Sequence, residues 1–268
     1  MIVTAGPLQQ FVSHVEPVGV LGGMGPAAGA NFMRLFVQAC MDLMAERGIA
    51  VRDQNFPEHW LAQVPVPDRS AHLMDSAAPG ALPLAHMLQA VGRLTALGVR
   101  AIAIACNTAH AWHAPLQQRF PQVEMLHIAD ETAIALQQAG ITRVGLLATE
   151  GTYASGIYGK ALQTAGLVCH LPQADERQVL MAGIYQGVKA GRMRWAGEQF
   201  AQVALELARR HELQALILGC TEIPLALRAL PAASQVRLVD PSRELARALA
   251  RRAYLHAQIH TTTPPETA

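Results

Sequence analysis

The chain alternates short apolar runs with longer stretches in which apolar residues recur every three to four positions, and that alternation predicts its elements. Strand-like runs fall at 18–21, 60–66, 99–105, 124–128, 143–148, 167–170, 213–218 and 236–239. Helical periods cover 26–46, 81–97, 131–139, 155–165, 176–188, 193–211 and 242–257, with further helices opening near Ala109 and at Pro224. Pro26 stands in the first turn of its helix, where the missing N–H is no loss. Gly98 and Gly140 follow the last periodic residue of theirs. The runs 99–105 and 213–218 are apolar throughout rather than alternating, which fits strands covered on both faces. Strands and helices in this order predict an α/β fold of parallel sheets flanked by helices. The final stretch TTTPPETA, 261–268, reads as disordered.

The pattern also repeats. VGVLGGMGP at 18–26 resembles VGLLATEGT at 144–152, and each is followed by an apolar run that stops on a cysteine. Cys106 lies about 80 residues after the first motif and Cys220 about 70 after the second. The repeat predicts two pseudo-symmetric lobes that face each other. Ligands of open α/β sheets bind outside the carboxyl ends of strands. The ends at 22–25, 106–108, 149–152 and 220–222 should therefore converge on one inter-lobe cleft.

Composition narrows the possibilities. Of 268 residues, 51% are hydrophobic and 15% charged, which describes a compact globular protein of one large or two small domains. A net charge of +1 leaves no electrostatic footprint for nucleic acid or an anionic membrane. No stretch reaches the roughly 18 unbroken apolar residues of a membrane span. The amino-terminal residues lack the basic start and apolar core of a secretory signal, so a cytoplasmic location is expected. Paired arginines at 209–210 and 251–252 fit solvated helix faces. The cysteines at 40, 106, 169 and 220 form no CxxC pair and no zinc-ligand spacing, so free thiols and no metal are expected.

The candidate chemistry centres on two of those thiols. Cys40 lies within a helix and Cys169 in a short strand without polar neighbours, so both read as core residues. Cys106 and Cys220 stand where a strand meets a helix, beside Asn107-Thr108 and Thr221-Glu222, a setting that favours thiolate. The turn Gly23-Met24-Gly25 could be read with Ala28 as a dinucleotide fingerprint. The acid that should end the second strand is missing, since Asp42 falls inside the first helix. An anion cradle of backbone N–H groups is the better reading. Thr149, Gly151 and Thr152 form the matching turn of the second lobe. Arg69, after the second strand, and Lys189, in GVKAG, are isolated cations able to take a carboxylate. His110 lies closest to a cysteine, but no acid and second histidine complete a hydrolytic triad, so it reads as a packing residue.

Taken together, GVLGGMGP, ACNTAH, LLATEGT, GIYQGVKAG and GCTEIP resemble the cofactor-independent aspartate/glutamate racemase family, most of all its aspartate racemase branch. The resemblance spans about 18–240. It implies one lobe from 1–123 and 239–268, with the carboxy-terminal helix returning to it, and a second from 124–238. It implies racemisation of an acidic amino acid by two bases, without pyridoxal phosphate or metal, and a homodimer. Cys106 and Cys220 match the catalytic thiols, and Arg69 and Lys189 the residues that receive the side-chain carboxylate. Asn107, Thr108, Thr149, Thr221 and Gly23-Met24-Gly25 match pocket positions. Where the family commonly has Asn-Asn-Pro, this chain has Ala62-Gln63-Val64, a departure that bears on specificity. The residues before Val18 extend past the usual start. Other readings stay open: glutamate or broad specificity, another carboxylate isomerase of the superfamily, or a binding protein that retains the cleft.

Overall fold

The computed structural model describes residues 9–74 and 81–262. The strands are β1 (Gln9–Ser13), β2 (Val18–Gly22), β3 (His59–Gln63), β4 (Ala101–Ile104), β5 (Glu124–Met125), β6 (Arg143–Ala148), β7 (Val168–His170), β8 (Ala215–Gly219), β9 (Arg237–Val239) and β10 (Gln258–Thr262). The helices are α1 (Pro26–Glu46), α2 (Arg69–Met74), α3 (Ala81–Ala96), α4 (His113–Arg119), α5 (Ile128–Gln138), α6 (Glu150–Ser155), α7 (Ile157–Thr164), α8 (Ala174–Ala182), α9 (Met193–His211), α10 (Ile223–Ala226) and α11 (Pro241–Ala253).

Two parallel sheets carry the molecule, in the orders β3-β2-β4-β5 and β7-β6-β8-β9. Counted from each sheet's own first strand the orders are the same, so the sequence repeat is a repeat of topology. Every residue of β2, β4 and β8 is buried, because helices cover both faces. On one face of the first sheet, Val18 and Val20 meet Phe32 and Phe36 of α1 and Leu245 and Leu249 of α11. On the other, Leu21, Ile102 and Ile104 meet Met87 and Val91 of α3. The second sheet is covered by Phe200 and Leu207 of α9 on one side and by Leu136 of α5 and Leu162 of α7 on the other. α11 starts where it does for two local reasons. The Asp240 side chain accepts the Ser242 N–H at 2.9 Å, and Pro241 fills the first helical position.

Several boundaries differ from the sequence expectations. The helix expected near Ala109 begins as a 3₁₀ turn at Thr108–Trp112 and becomes α4 only at His113. The stretch 155–165 belongs to two helices, broken at Gly156, and 176–188 splits into α8, a π-helical turn at Gly183–Gly187 and a 3₁₀ turn at Val188–Ala190. β5 pairs with β4, so residues 124–125 belong to the first sheet, and Val239 ends a strand of the second. Sheet membership thus departs at both points from a division at 123/124 and 238/239. The arginine pairs are not simply solvated: Arg210 pairs with Glu176, Arg251 with Glu131 and Arg252 with Glu124.

The start of the carboxy-terminal tail is ordered. Residues 261 and 262, expected to be disordered, close β10, which pairs antiparallel with β1 from Gln9↔Thr262 to Ser13↔Gln258. Within this ribbon the Ser13 hydroxyl and the His260 ring lie 2.7 Å apart, and Phe11 stacks on that ring. The rest of the tail, 263–268, lies outside the described residues.

Candidate active site

Cys106 and Cys220 follow β4 and β8 directly, so parallel topology delivers both thiols to the carboxyl ends of the central strands. They line one small cavity together with Met24, Arg69, Asn107, Thr108, Thr149, Lys189, Thr221 and Glu222, all singled out from sequence. Asp68, Ser70, Ile184 and Tyr185 complete the lining. The cavity volume is about 20 Å³, room for about one water molecule. The cleft is therefore closed.

Both cysteines are buried, with Cys106 5% and Cys220 6% exposed. Their surroundings are unequal. Burial pushes the Cys106 thiol up, while the Arg69 guanidinium and the Ala109 N–H pull it back. Burial pushes Cys220 well above the ordinary thiol range, and the Glu222 carboxylate adds to this. Cys220 Sγ donates to Glu222 Oε2 at 3.1 Å. Removing that proton would put two negative charges side by side. The pair is thus graded, with Cys106 the readier thiolate and Cys220 the thiol that holds its proton more firmly.

Glu222 also explains the glycine turn. The N–H of Gly25, at the start of α1, donates to Glu222 Oε1 at 3.2 Å. The cradle expected for a ligand holds a carboxylate of the protein's own. Gly23 stands at φ +91, and a Cβ there would run into the backbone of Val64, so the turn admits only glycine. The Met24–Gly25 peptide bond is cis. Neither Gly23 nor Gly25 lines the cavity.

Arg69 is the first residue of α2, and its guanidinium is pinned by carbonyls. Nη2 donates to Met24 O at 2.7 Å, and Nη1 to Val66 O at 3.0 Å and Pro67 O at 3.2 Å. Its buried Nε has no partner, nor has Nδ2 of Asn107. Asn107 Oδ1 meanwhile accepts from the Tyr158 hydroxyl at 2.5 Å, which fixes the amide. Burial works against the Arg69 charge, but Cys106, Asp68 and Glu222 outweigh it and keep the group charged.

The second cation is held differently. Lys189 Nζ sits 4.1 Å from the centre of the Tyr185 ring, and the Tyr185 hydroxyl donates to Asp68 Oδ2 at 2.8 Å. Asp68 thereby links the end of the first lobe's second strand to the π-helical turn. Burial opposes its charge. The Ala71 N–H, Tyr185, Arg69 and Lys189 more than offset this and hold its carboxyl below the usual range.

Thr108 and Thr149 on the cavity lining share a hydroxyl cluster with Thr152. The Thr108 hydroxyl lies 2.9 Å from that of Thr149 and 3.0 Å from that of Thr152, and the last two are 3.1 Å apart. Thr152 and Gly151 lie behind the cavity surface rather than on it. A Cβ on Gly151 would come within 2.6 Å of Ser70 Oγ and 2.7 Å of its Cα, so glycine lets α6 approach α2. His110 is fully buried, with Nδ1 2.8 Å from the Cys106 carbonyl. Burial, with His127 and His113 near, drops its pKa to about 3. It is a neutral residue that fixes the Cys106 turn, as the packing reading expected. Sequence reasoning missed Tyr185 and Tyr158 as site residues. Tyr185 lay in view in GIYQGVKAG, and Tyr158 had no signal.

A model of the family described as Asp/Glu/Hydantoin racemase matches residues 21–249. The chain belongs to the Asp/Glu/hydantoin racemase family. A broad specificity amino-acid racemase, RacX, of Bacillus subtilis is 27% identical over 86% of this chain and 95% of its own length. The solved structure of Picrophilus torridus aspartate racemase is 28% identical, covers 91% of this chain and 96% of that one, and superposes with a TM-score of 0.72. An aspartate racemase homologue from Pyrococcus horikoshii shares the fold at 22% identity, over 89% of this chain and 99% of that one, with a TM-score of 0.67. The two parallel sheets flanked by helices are this family's two-lobe fold, and membership makes the chain a racemase. Among the described residues no helix is long and apolar enough to cross a membrane, and no cluster of side chains could hold a metal ion.

Proposed function

We propose that the protein racemises an acidic amino acid, aspartate first, by proton transfer between Cys106 and Cys220. The observation that carries this reading is the lining of the closed cleft. Two thiols share it with two cations, Arg69 and Lys189, and with two buried donors, Arg69 Nε and Asn107 Nδ2, that have no acceptor. Buried donors without partners are costly, and a dicarboxylate would satisfy them.

In the mechanism, Cys106, its thiolate favoured by Arg69, removes the α-proton from one face. Cys220, kept protonated by Glu222, delivers a proton to the other. For the opposite enantiomer the roles reverse. The planar intermediate carries its charge on the α-carboxylate, stabilised by threonine hydroxyls and strand-end N–H groups. Arg69 and Lys189 hold the distal carboxylate, so binding energy away from the reacting carbon fixes orientation. The scheme needs no cofactor, since the sulfurs supply both proton positions.

A cavity of about 20 Å³ cannot admit an amino acid, so binding requires the lobes to part. On this reading one lobe comprises the residues through β5 together with α11, and the other runs from α5 to β9. The protein acts in the cytoplasm as a homodimer, a state that sedimentation would check. The deciding experiment incubates single L-amino acids with the protein in D₂O and follows α-proton loss and optical inversion. Exchange and inversion with L-aspartate are expected. No exchange with aspartate or glutamate overturns the reading, and equal turnover of neutral amino acids replaces it with broad specificity of the RacX kind.

A further inference from the structure

Away from the cysteine cavity, a groove of about 670 Å³ runs between α1, α11 and the segment from α10 to β9. That volume lies within the range of small-molecule sites. Five arginines line it: Arg34 from α1, Arg228 just past α10, Arg237 from β9, and Arg243 and Arg247 from α11. The only carboxylates in the lining are Asp240 and Glu244. The whole chain has 21 basic and 20 acidic residues. Against that even balance, five guanidiniums from three parts of the fold and from both sheets' surroundings are a strong local excess.

The two carboxylates are already engaged. Glu244 takes Arg247 Nη1 on both its oxygens at 3.2 Å. Asp240 turns its Oδ1 onto the Ser242 N–H at the start of α11, with Arg243 in its field. Arg34 bonds only to the neutral Asn31 side chain, at 3.0 and 3.3 Å. Among the described residues Arg34, Arg228, Arg237 and Arg243 make no ion pair, and all four are exposed to the groove's solvent. Like charges gathered in one concavity repel one another and focus a positive potential. The planar guanidinium fork matches phosphate oxygens two at a time. Leu35, Leu227 and Val239 give the groove an apolar floor.

We propose that this groove binds a small phosphorylated anion carrying at least two phosphate-type charges, at a site separate from the racemase cavity. Arg228 and Arg237 line the groove from the second sheet's side and Arg34 and Arg243 from the first's, so an anion held among them offsets their like charge. The site is joined to the chemistry by α10, which starts beside Glu222 and ends two residues before Arg228.

The test is calorimetric titration of the full chain with pyrophosphate at fixed ionic strength, with orthophosphate and citrate as comparison anions. Saturable binding is expected, tightest for pyrophosphate, and weakened at least tenfold by Arg228→Ser combined with Arg237→Ser. Arg228→Ser alone, in an exposed position, serves if the double variant does not fold, and should weaken binding at least threefold. The absence of saturable binding, unchanged binding in the variants, or citrate binding tighter than pyrophosphate overturns the proposal. Heat of binding is read without turnover, so the result stands or falls independently of racemisation.

Discussion

Glu222 and Gly25 meet across the cleft, the carboxylate of one accepting the N–H of the other at 3.2 Å. The same carboxylate accepts the Cys220 thiol through its second oxygen. One side chain therefore ties the two lobes together and sets the proton on one of the two sulfurs.

Glu222→Gln removes the negative charge but keeps an oxygen for Gly25. Losing the like charge should let Cys220 ionise more easily, moving the alkaline limb of the kcat/KM profile to lower pH by on the order of one unit. Racemisation has an equilibrium constant of one, so kcat/KM must stay equal for the two enantiomers while the separate kcat and KM values shift. A profile that does not move would remove Glu222 from the control of Cys220.

Cys106→Ala and Cys220→Ala should each reduce inversion by about a thousandfold or more, within the range of positioned acid–base groups. Full inversion by either variant, measured by circular dichroism on L-aspartate, would discard the two-thiol scheme.

Arg69→Lys keeps the charge but loses the planar fork and the bond to the Met24 carbonyl. Lys189→Met loses charge alone. Each should raise KM for aspartate about tenfold to a hundredfold, the scale of one charge-assisted bond, with little change for alanine. A uniform loss on both substrates would mean that these cations support the fold rather than the distal carboxylate.

Gly151→Ala places a methyl group against Ser70, where there is no room for it. The variant should fold with a modest loss of stability, on the order of 1–3 kcal/mol, yet fail to close the cleft and lose most of its activity. Pairing it with Ser70→Gly removes the hydroxymethyl group but not the Cα at 2.7 Å, so turnover should return only in part, and no gain at all in steady-state assays would count against the contact as a closure limit.

The sheets were legible in the sequence because buried parallel strands are unbroken apolar runs, as at 99–105 and 213–218. Both cysteines were legible for the same reason: each ends such a run. What was hidden depends on distant pairing. β1 and β10 are short and stabilise each other from opposite ends of the chain, so neither shows a core period alone. Glu222 was visible beside Cys220, but its grip on Gly25, nearly two hundred residues earlier, is a property of the assembled cleft. The 3₁₀ start of the helix after Cys106 and the π-helical turn before Lys189 arise from packing, which overrides local helix preference.

His110 adds a prediction about acid. Its folded pKa of about 3 lies below the ordinary histidine value of 6.5, so the unfolded chain binds the extra proton first. The stability contributed by neutral His110 is complete above pH 6.5 and should fall by about 1.4 kcal/mol per pH unit below it, until the folded pKa is reached. His110→Asn retains a donor for the Cys106 carbonyl and removes the titration. Denaturant unfolding at pH 7 and pH 5 should show a smaller pH difference in the variant than in the parent.

The return of α11 to the first sheet bears on how the chain is made. Phe32 and Phe36 of α1 have their cover from Leu245 and Leu249, which a ribosome adds more than two hundred residues later. During synthesis the second lobe can complete its own sheet while the first still presents a bare apolar face. Nascent chains released before residue 241 should therefore be chaperone clients, since α11 is the helix that finishes the cover of the first sheet.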